Sequence, residues 1–542
     1  MSIPADLLNR AVEHHAAGRL AEAEPLYRAV LAAGHPRRAD ILHNLSLLLE
    51  QAGRLPEAAA AASEQGVLLL EAGDAEGAAG SFRTAARLHP TDADTWSNLG
   101  NALLAGDRAQ EAADACRRAL SLRPDDPGTL SNLGNALRRA GDAAGAIAAY
   151  RRAVTLDPAF AGGWYNLGQA LRAQDMLEEA EAAQRRAVDL DPSLDRAWSA
   201  LGSALHDQGR LEEAVAAYDR SLALRPDAPG PNWNLALALL LKGDHARGWT
   251  QYEWRRRSLK TPFRDFPEPD WEGEPFPGRT LLVHAEQGMG DMLMIARYLP
   301  LVAARGGRVV LEAHQGLLRL FRGLPGVDAL VPKDGPLPPF DLHVPAMSLA
   351  RIFRAGIDPI PADLPYLPGD PELDGRWRRR LAGLPGLKVG LVWAGNPDFA
   401  EDRRRSPRLD AFLPLLDVPG VSIVGLQMGD GRRDLEGRAL PAGFTDLGPE
   451  IGDFADTAAI LRNLDLLVSS CTSPVHLAGA LGRPVWVVLP RVPDWRWGMA
   501  GEGSAWYPTA RLFRQEERGD WAGPVARVAA ELARTAAGRE RI

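Results

Sequence analysis

A period of about 34 residues, repeated in register through the first half of the chain, constrains the fold before any local pattern does. Four successive blocks read TWSNLGNALLAGD, TLSNLGNALRRAGD, GWYNLGQALRAQD and AWSALGSALHDQG. Aligned, they place Trp96, Leu130, Trp164 and Trp198 at one position, Leu99, Leu133, Leu167 and Leu201 three later, and Gly100, Gly134, Gly168 and Gly202 next. Each block continues to Ala112, Ala146, Ala180 or Ala214 and closes at Pro124, Pro158, Pro192 or Pro226. Large apolar residues at helical separation, small ones where helices must approach, and a terminal Pro describe a pair of helices. One such pair cannot bury its apolar face alone, so successive pairs stack, and this half of the chain is expected to be all-α.

The pattern resembles the tetratricopeptide repeat. It extends back through Gly66, Ala78, Phe82 and Pro90 and then Ala23, Tyr27 and Pro36, and forward into Leu235, Leu239 and Tyr252. Seven units are expected, the last degenerate, with an irregular joint at Leu55 to Ser63, where PEAAAAAS is short for a full second helix. Such a solenoid builds a concave surface that suits a peptide or protein partner, although it could also serve only to space or dimerise chains. Asn98, Asn132 and Asn166 are placed either to bond an extended ligand backbone or to bond helix to helix. Trp249, Tyr252 and Trp254 read as an apolar seal on the last repeat.

Composition narrows the partners. A formal net charge of -8 gives no global basic field for nucleic acid, so none is expected as a main partner. Cys116 and Cys471 are too few for a disulfide framework or a cysteine zinc site, which points to a reducing, cytoplasmic protein. The start, MSIPADLLNRAVEHHAAG, lacks the basic and apolar regions of a secretion signal, and no apolar run reaches the length of a membrane span.

After WTQYEWRRRS the period stops, and five of the 18 residues from Thr261 to Gly278 are proline, which favours an extended, stiff connection. The repeats are therefore assigned to 1–257 and the connection to 258–278. From Arg279 the texture becomes short apolar runs alternating with helical stretches: TLLVHA, RVVLEA, LKVGLVWAG, VSIVGLQ, LDLLVSS and RPVWVVLP. This is βαβ patterning, and it divides into two parallel-sheet lobes near 279–375 and 386–530. Ligands of such folds bind at the carboxyl ends of strands.

Three strand-end loops carry residues suited to chemistry. In TLLVHAEQGMGD, Gly288 and Gly290 let a ligand approach the backbone, and Asp291 opens a helix. Asp291 is either a helix cap or a carboxylate able to take a proton from an attacking hydroxyl. In LVSSCTSPVHLAGALG, the chain passes from a strand through Thr472 and Ser473 into a helix whose positive end suits a diphosphate. His476 in its first turn could bond a phosphate or lock the loop. In VGLVWAGNPDFAEDRRRSPRLD, Trp393, Gly395 and Asn396 follow a strand, and Arg403, Arg404 and Arg405 form either a solvated charge run or a grip on a diphosphate.

Together, EQGMGD, GLVWAGNP with DRRRS, DFADTAAILRNLDLLVSS, HLAGALGRPVWVVLP and DWRWG resemble the heptosyltransferase-like glycosyltransferases of GT-B fold, in the bacterial branch that carries tetratricopeptide repeats. The resemblance covers nearly all of residues 279 to 521. It implies an all-α solenoid followed by an α/β transferase of two Rossmann-like lobes, the first on the acceptor side and the second holding a nucleotide-sugar. It implies inverting, metal-independent transfer without a cofactor: Asp291 as catalytic base, Gly288, Gly290, Asn396, Arg404, Arg405, Thr472, Ser473 and His476 at the donor diphosphate. Related transferases often carry Asp where this chain has Cys471. The acceptor implied is a protein hydroxyl, flagellin first, recruited by the repeats. An inactive transferase acting as a scaffold, and a lipopolysaccharide or other glycan acceptor, are the other readings.

Overall fold

The computed structural model describes residues 5–258, 263–399 and 402–538, and the chain forms two compact units, Met1–Leu205 and His206–Ile542. No helix among the described residues is long and apolar enough to cross a membrane.

The first unit is helical throughout, from Ala5–Ala16 to the helix Asp195–Asp207 that crosses its boundary. The glycines of the repeat sit where helix meets helix. A Cβ at Gly66 would stand 2.9 Å from the Phe82 ring, at Gly100 2.5 Å from Cys116 Sγ, and at Gly134 2.5 Å from the Tyr150 ring; at Gly168 it would strike Gln184. The repeat Trp serves another joint: the indoles of Trp96, Trp164 and Trp198 donate to the carbonyls of Pro90, Pro158 and Pro192 at 3.0, 3.1 and 3.0 Å. Asn166 bonds helix to helix, donating to Ser131 Oγ at 3.0 Å.

The expected irregular joint is instead one 17-residue helix, Leu55–Glu71, that packs against both Arg38–Gln51 and Ala75–Leu88. Its alanines favour helix strongly enough to run through the position where a turn would fall. It closes one helix pair and opens the next. With it counted twice, the fifteen helices from Ala5–Ala16 to His245–Tyr252 make eight pairs among the described residues, one more than expected.

The second unit begins within the repeats. It contains the helices Leu211–Leu224, Pro229–Lys242, His245–Tyr252 and Arg255–Ser258, followed by two parallel sheets. Residues 259–262 of the Pro-rich connection lie outside the described residues. The rest is not a free strut: Trp271 and Phe276 are fully buried, and Trp271 N–H donates to the His343 carbonyl at 2.8 Å.

The first sheet comprises β1 (Thr280–His284), β2 (Arg308–Ala313), β3 (Ala329–Pro332) and β4 (Leu342–Pro345), in the order β3-β2-β1-β4. The second comprises β5 (Leu387–Val392), β6 (Val421–Gly425), β7 (Phe444–Asp446), β8 (Leu466–Ser470), β9 (Val485–Leu489) and β10 (Ala510–Arg514), in the order β10-β9-β8-β5-β6-β7. Every pairing is parallel. Alternate residues of the second sheet feed opposite cores: Val389, Leu391, Val468 and Val488 pack with Phe412 and Val528, whereas Leu467, Val485 and Val487 pack with Ile460 and Leu477. Burial on both faces explains why these strands read as unbroken apolar runs. The strand order reverses between β1 and β4 in one sheet and between β5 and β8 in the other, the positions at which sheets of this kind form a ligand crevice at their carboxyl ends.

Candidate functional site

The two loops that leave β1 and β8 meet. From β1, residues 285–288 lead into the helix Met289–Ile295; from β8, Cys471 and Thr472 lead into the helix Ser473–Ala480. A Cβ at Gly290 would lie 2.9 Å from His476 Cδ2 and 3.3 Å from Ser473 Oγ, so only glycine lets the two helix starts approach this closely.

Asp291 is the third residue of its helix and reaches back, Oδ2 accepting from Gly288 N–H at 2.9 Å, which is the carboxylate half of a capping box. Its other oxygen pairs with Arg496, from the loop after β9. The two side chains are 17% and 10% exposed, so the pair is shielded from most solvent screening. Arg496 is also paired with Asp494 at 2.7 Å and lies 4.2 Å over the Trp495 ring. Arg496 was legible only as part of DWRWG; an arginine between two tryptophans and beside an aspartate is the signal that could have marked it.

The β8 loop is polar and buried. Thr472 Oγ1 lies 3.1 Å from Ser469 Oγ and donates to the Ser470 carbonyl at 3.3 Å, so it does not cap the helix that follows. Ser470 Oγ is buried with no hydrogen-bond partner. His476 is buried, with Nδ1 and the Tyr507 hydroxyl 3.0 Å apart and its ring stacked on Trp497. Burial, reinforced by the charges of Arg496, Arg297 and Arg405, holds its pKa well below the ordinary histidine value, so the imidazole is neutral. Cys471 Sγ accepts from Trp497 Nε1–H at 2.9 Å, and burial together with Asp494 pushes the thiol up to about 11.

The β5 loop is braced from inside. Gln427 accepts from the Trp393 and Ala394 N–H groups at 3.0 and 2.9 Å, and Gly395 N–H donates to Ser406 Oγ at 2.9 Å. A side chain at Gly395 would strike Asp402 and approach Arg405 Nη2 at 3.0 Å. Arg405 donates to Asp402 at 3.2 Å and lies 4.5 Å over Phe399, 27% exposed. Its charge reaches the β8 loop, where it acts on both Cys471 and His476. Arg404 pairs with Asp207 at 3.0 Å, at the end of the helix Asp195–Asp207. Asn396 is exposed and closes a local turn, accepting from Asp398 N–H at 3.1 Å.

The structure thus brings Gly288, Gly290, Asp291, Thr472, Ser473 and His476 together and sets Arg405 within electrostatic reach. Two partially positive helix ends, a carboxylate and a buried guanidinium share one place, a combination able to hold an anionic group and to accept a proton.

Comparison with known proteins supports the helical part. Models described as TPR repeat or tetratricopeptide repeat match residues 8–65 and 63–127, 134–175 and 202–243, and 161–194. Protein FlbA of Caulobacter vibrioides is 30% identical over 322 residues, covering 55% of this chain and 54% of FlbA, so the chain spans about half the length of that curated relative. Among solved structures, the pilF protein of Pseudomonas aeruginosa is 18% identical, covering 38% of this chain and 92% of its own, with a TM-score of 0.34. MamA of Desulfovibrio magneticus is 24% identical, covering 31% and 95%, with a TM-score of 0.29. YrrB, titled a TPR protein with an unusual peptide-binding site, is 22% identical, covering 32% and 88%, with a TM-score of 0.27. The chain therefore carries tetratricopeptide repeats ahead of an α/β region built on two parallel sheets.

Proposed function

We propose that this chain is a glycosyltransferase of GT-B type that moves a sugar from a nucleotide-sugar to a hydroxyl of an acceptor protein, which the repeats recruit. The observation that carries the reading is the packing of Gly290 against Ser473 and His476, which sets a carboxylate loop beside a helix start at the carboxyl ends of two parallel sheets. In the reaction, Asp291 takes the proton of the acceptor hydroxyl. The oxygen attacks the anomeric carbon as the bond to the diphosphate breaks, and the nucleoside diphosphate leaves with the electron pair. Arg405, Arg496 and the start of the helix Ser473–Ala480 stabilise that departing charge. Asp291 accepts one hydrogen bond and one ion pair in the structure, and a carboxylate has about four lone-pair sites, so capacity for a proton remains. His476, neutral and packed between Tyr507 and Trp497, supports the loop rather than carrying charge to the phosphate.

A second reading rests on the same ion pair: if Asp291 and Arg496 serve only to fasten the two lobes, the chain is a repeat scaffold. The test is transfer of label from a panel of radiolabelled nucleotide-sugars to protein in an extract lacking this gene product, with flagellin as the first purified acceptor. Purified wild-type chain is expected to label a protein, and Asp291→Ala to do so about 10²- to 10⁴-fold more slowly. Equal labelling by both removes Asp291 from the chemistry; labelling by neither favours the scaffold.

A further inference from the structure

The end of the helical array grips residues next to both members of the Asp291–Arg496 pair. On the first-lobe side, Arg255 is fully buried and holds Glu286 with two parallel bonds, Nε to Oε2 at 2.7 Å and Nη2 to Oε1 at 2.9 Å. Arg255 also donates to Ser348 Oγ at 2.7 Å and to Glu253 at 2.8 Å, and Glu286 accepts from Met347 N–H at 2.7 Å. One residue along, the Tyr252 hydroxyl donates to Gln287 Oε1 at 3.1 Å. Glu286 and Gln287 are the two residues that lead into Gly288, whose N–H bonds Asp291.

On the second-lobe side, Trp249 and Tyr252 pack edge-on against Trp495, with ring centroids 5.2 and 6.0 Å apart, and Arg496 lies over that same Trp495 ring. Trp249 Nε1–H donates to the Ala355 carbonyl at 2.7 Å, which fixes the indole in place. The aromatic residues that read in the sequence as a seal on the last repeat are thus seated on the strand-end loops themselves. The compact unit that begins at His206 includes these residues together with both sheets.

We propose that the last helical turns, His245–Tyr252 and Arg255–Ser258, belong to the site as its mount. Tyr252 and Arg255 are positioning residues that set Asp291 through Gln287 and Glu286, and Tyr252 with Trp249 sets Arg496 through Trp495. Side-chain groups that act in a reaction must be held by rigid neighbours, and a displacement of an ångström at such a group costs on the order of 10²-fold in rate. Only the effect on turnover rests on the glycosyl-transfer reading; the effect on the loop does not.

The test is hydrogen exchange followed by mass spectrometry on the full chain, with Tyr252→Phe as the decisive variant because it removes one hydroxyl and keeps the ring. Its thermal midpoint is expected to move by no more than about 4 °C. Exchange in residues 286–291 is expected to rise on the order of tenfold, with β1 and β5 unchanged. Arg255→Gln, which strands the buried Glu286, is expected to extend the loosening to Met347 where it folds. With an active acceptor system, Tyr252→Phe is expected to lower kcat by about tenfold at unchanged KM for the donor. Unchanged exchange in Tyr252→Phe overturns the proposal, as does raised exchange with unchanged kcat. If the wild-type chain turns over no donor, the transferase reading fails and the exchange result alone decides whether the mount exists.

Discussion

Gly290, Cys471 and the buried histidines carry the sharpest tests at the scale of single residues. Gly290→Ala would push a methyl group against His476 and Ser473, so it is expected to cost about 1–3 kcal/mol and to weaken nucleoside-diphosphate binding, read by denaturant titration and calorimetry. The two thiols are predicted to be inert in the folded chain. Burial pushes Cys116 up to about 12 and burial with Asp494 pushes Cys471 up to about 11, so neither should react with Ellman's reagent at pH 8 until denaturant is added. His284 is held at about 3, against an ordinary 6.5, by burial and the neighbouring His343, and His476 is shifted the same way. Unfolding returns both to ordinary values and therefore takes up protons below about pH 6.5. Their contribution to stability is complete above that pH and is lost as pH falls, for His284 down to about 3; urea denaturation from pH 8 to 4 should show the decline, and His284→Gln should flatten it. Gly290 read in the sequence as a place for a ligand to approach the backbone, whereas in the structure Ser473 and His476 occupy that space. That contact was not legible, since His476 lies far along the chain and only the fold joins them.

At the scale of elements, the repeat helices were legible because their period is strict and each position has one physical use. Gly134 is small to admit Tyr150, and Trp96 lies where its indole can reach the Pro90 carbonyl. Gly134→Ala is expected to destabilise the pair formed by the helices Pro127–Arg139 and Ala143–Leu156 by about 1–3 kcal/mol, seen as faster hydrogen exchange there and in the adjacent repeats but not in β5 or β8. The helix Leu55–Glu71 escaped the periodic reading because alanine marks a helix without marking its ends. β5, β8 and β9 stood out as apolar runs, a direct consequence of burial on both faces, whereas their order, and with it the two reversals, came only from pairing. Among the loop arginines, composition could not separate Arg405, held by Asp402 and Phe399, from Arg404, paired with Asp207.

The molecule as a whole joins a repeat array to a two-sheet α/β region, and the compact units divide inside the array rather than at its end. Inside the second unit, Arg255, Trp249 and Tyr252 make buried contacts that no sequence period announces. The second unit holds the last helices together with the strand-end loops, and tetratricopeptide repeats of the kind that precede it suit a protein partner. The proposed transfer of sugar to protein depends on one carboxylate, Asp291, as the base. Intact-mass measurement of flagellin and other abundant exported proteins, from cells carrying the wild-type gene, a deletion, or Asp291→Ala, tests it most directly. A saccharide-sized mass is expected on one protein with the wild-type gene and is expected to be missing from it in both altered strains; retention of that mass in the Asp291→Ala strain, or no difference among the three, overturns the proposal.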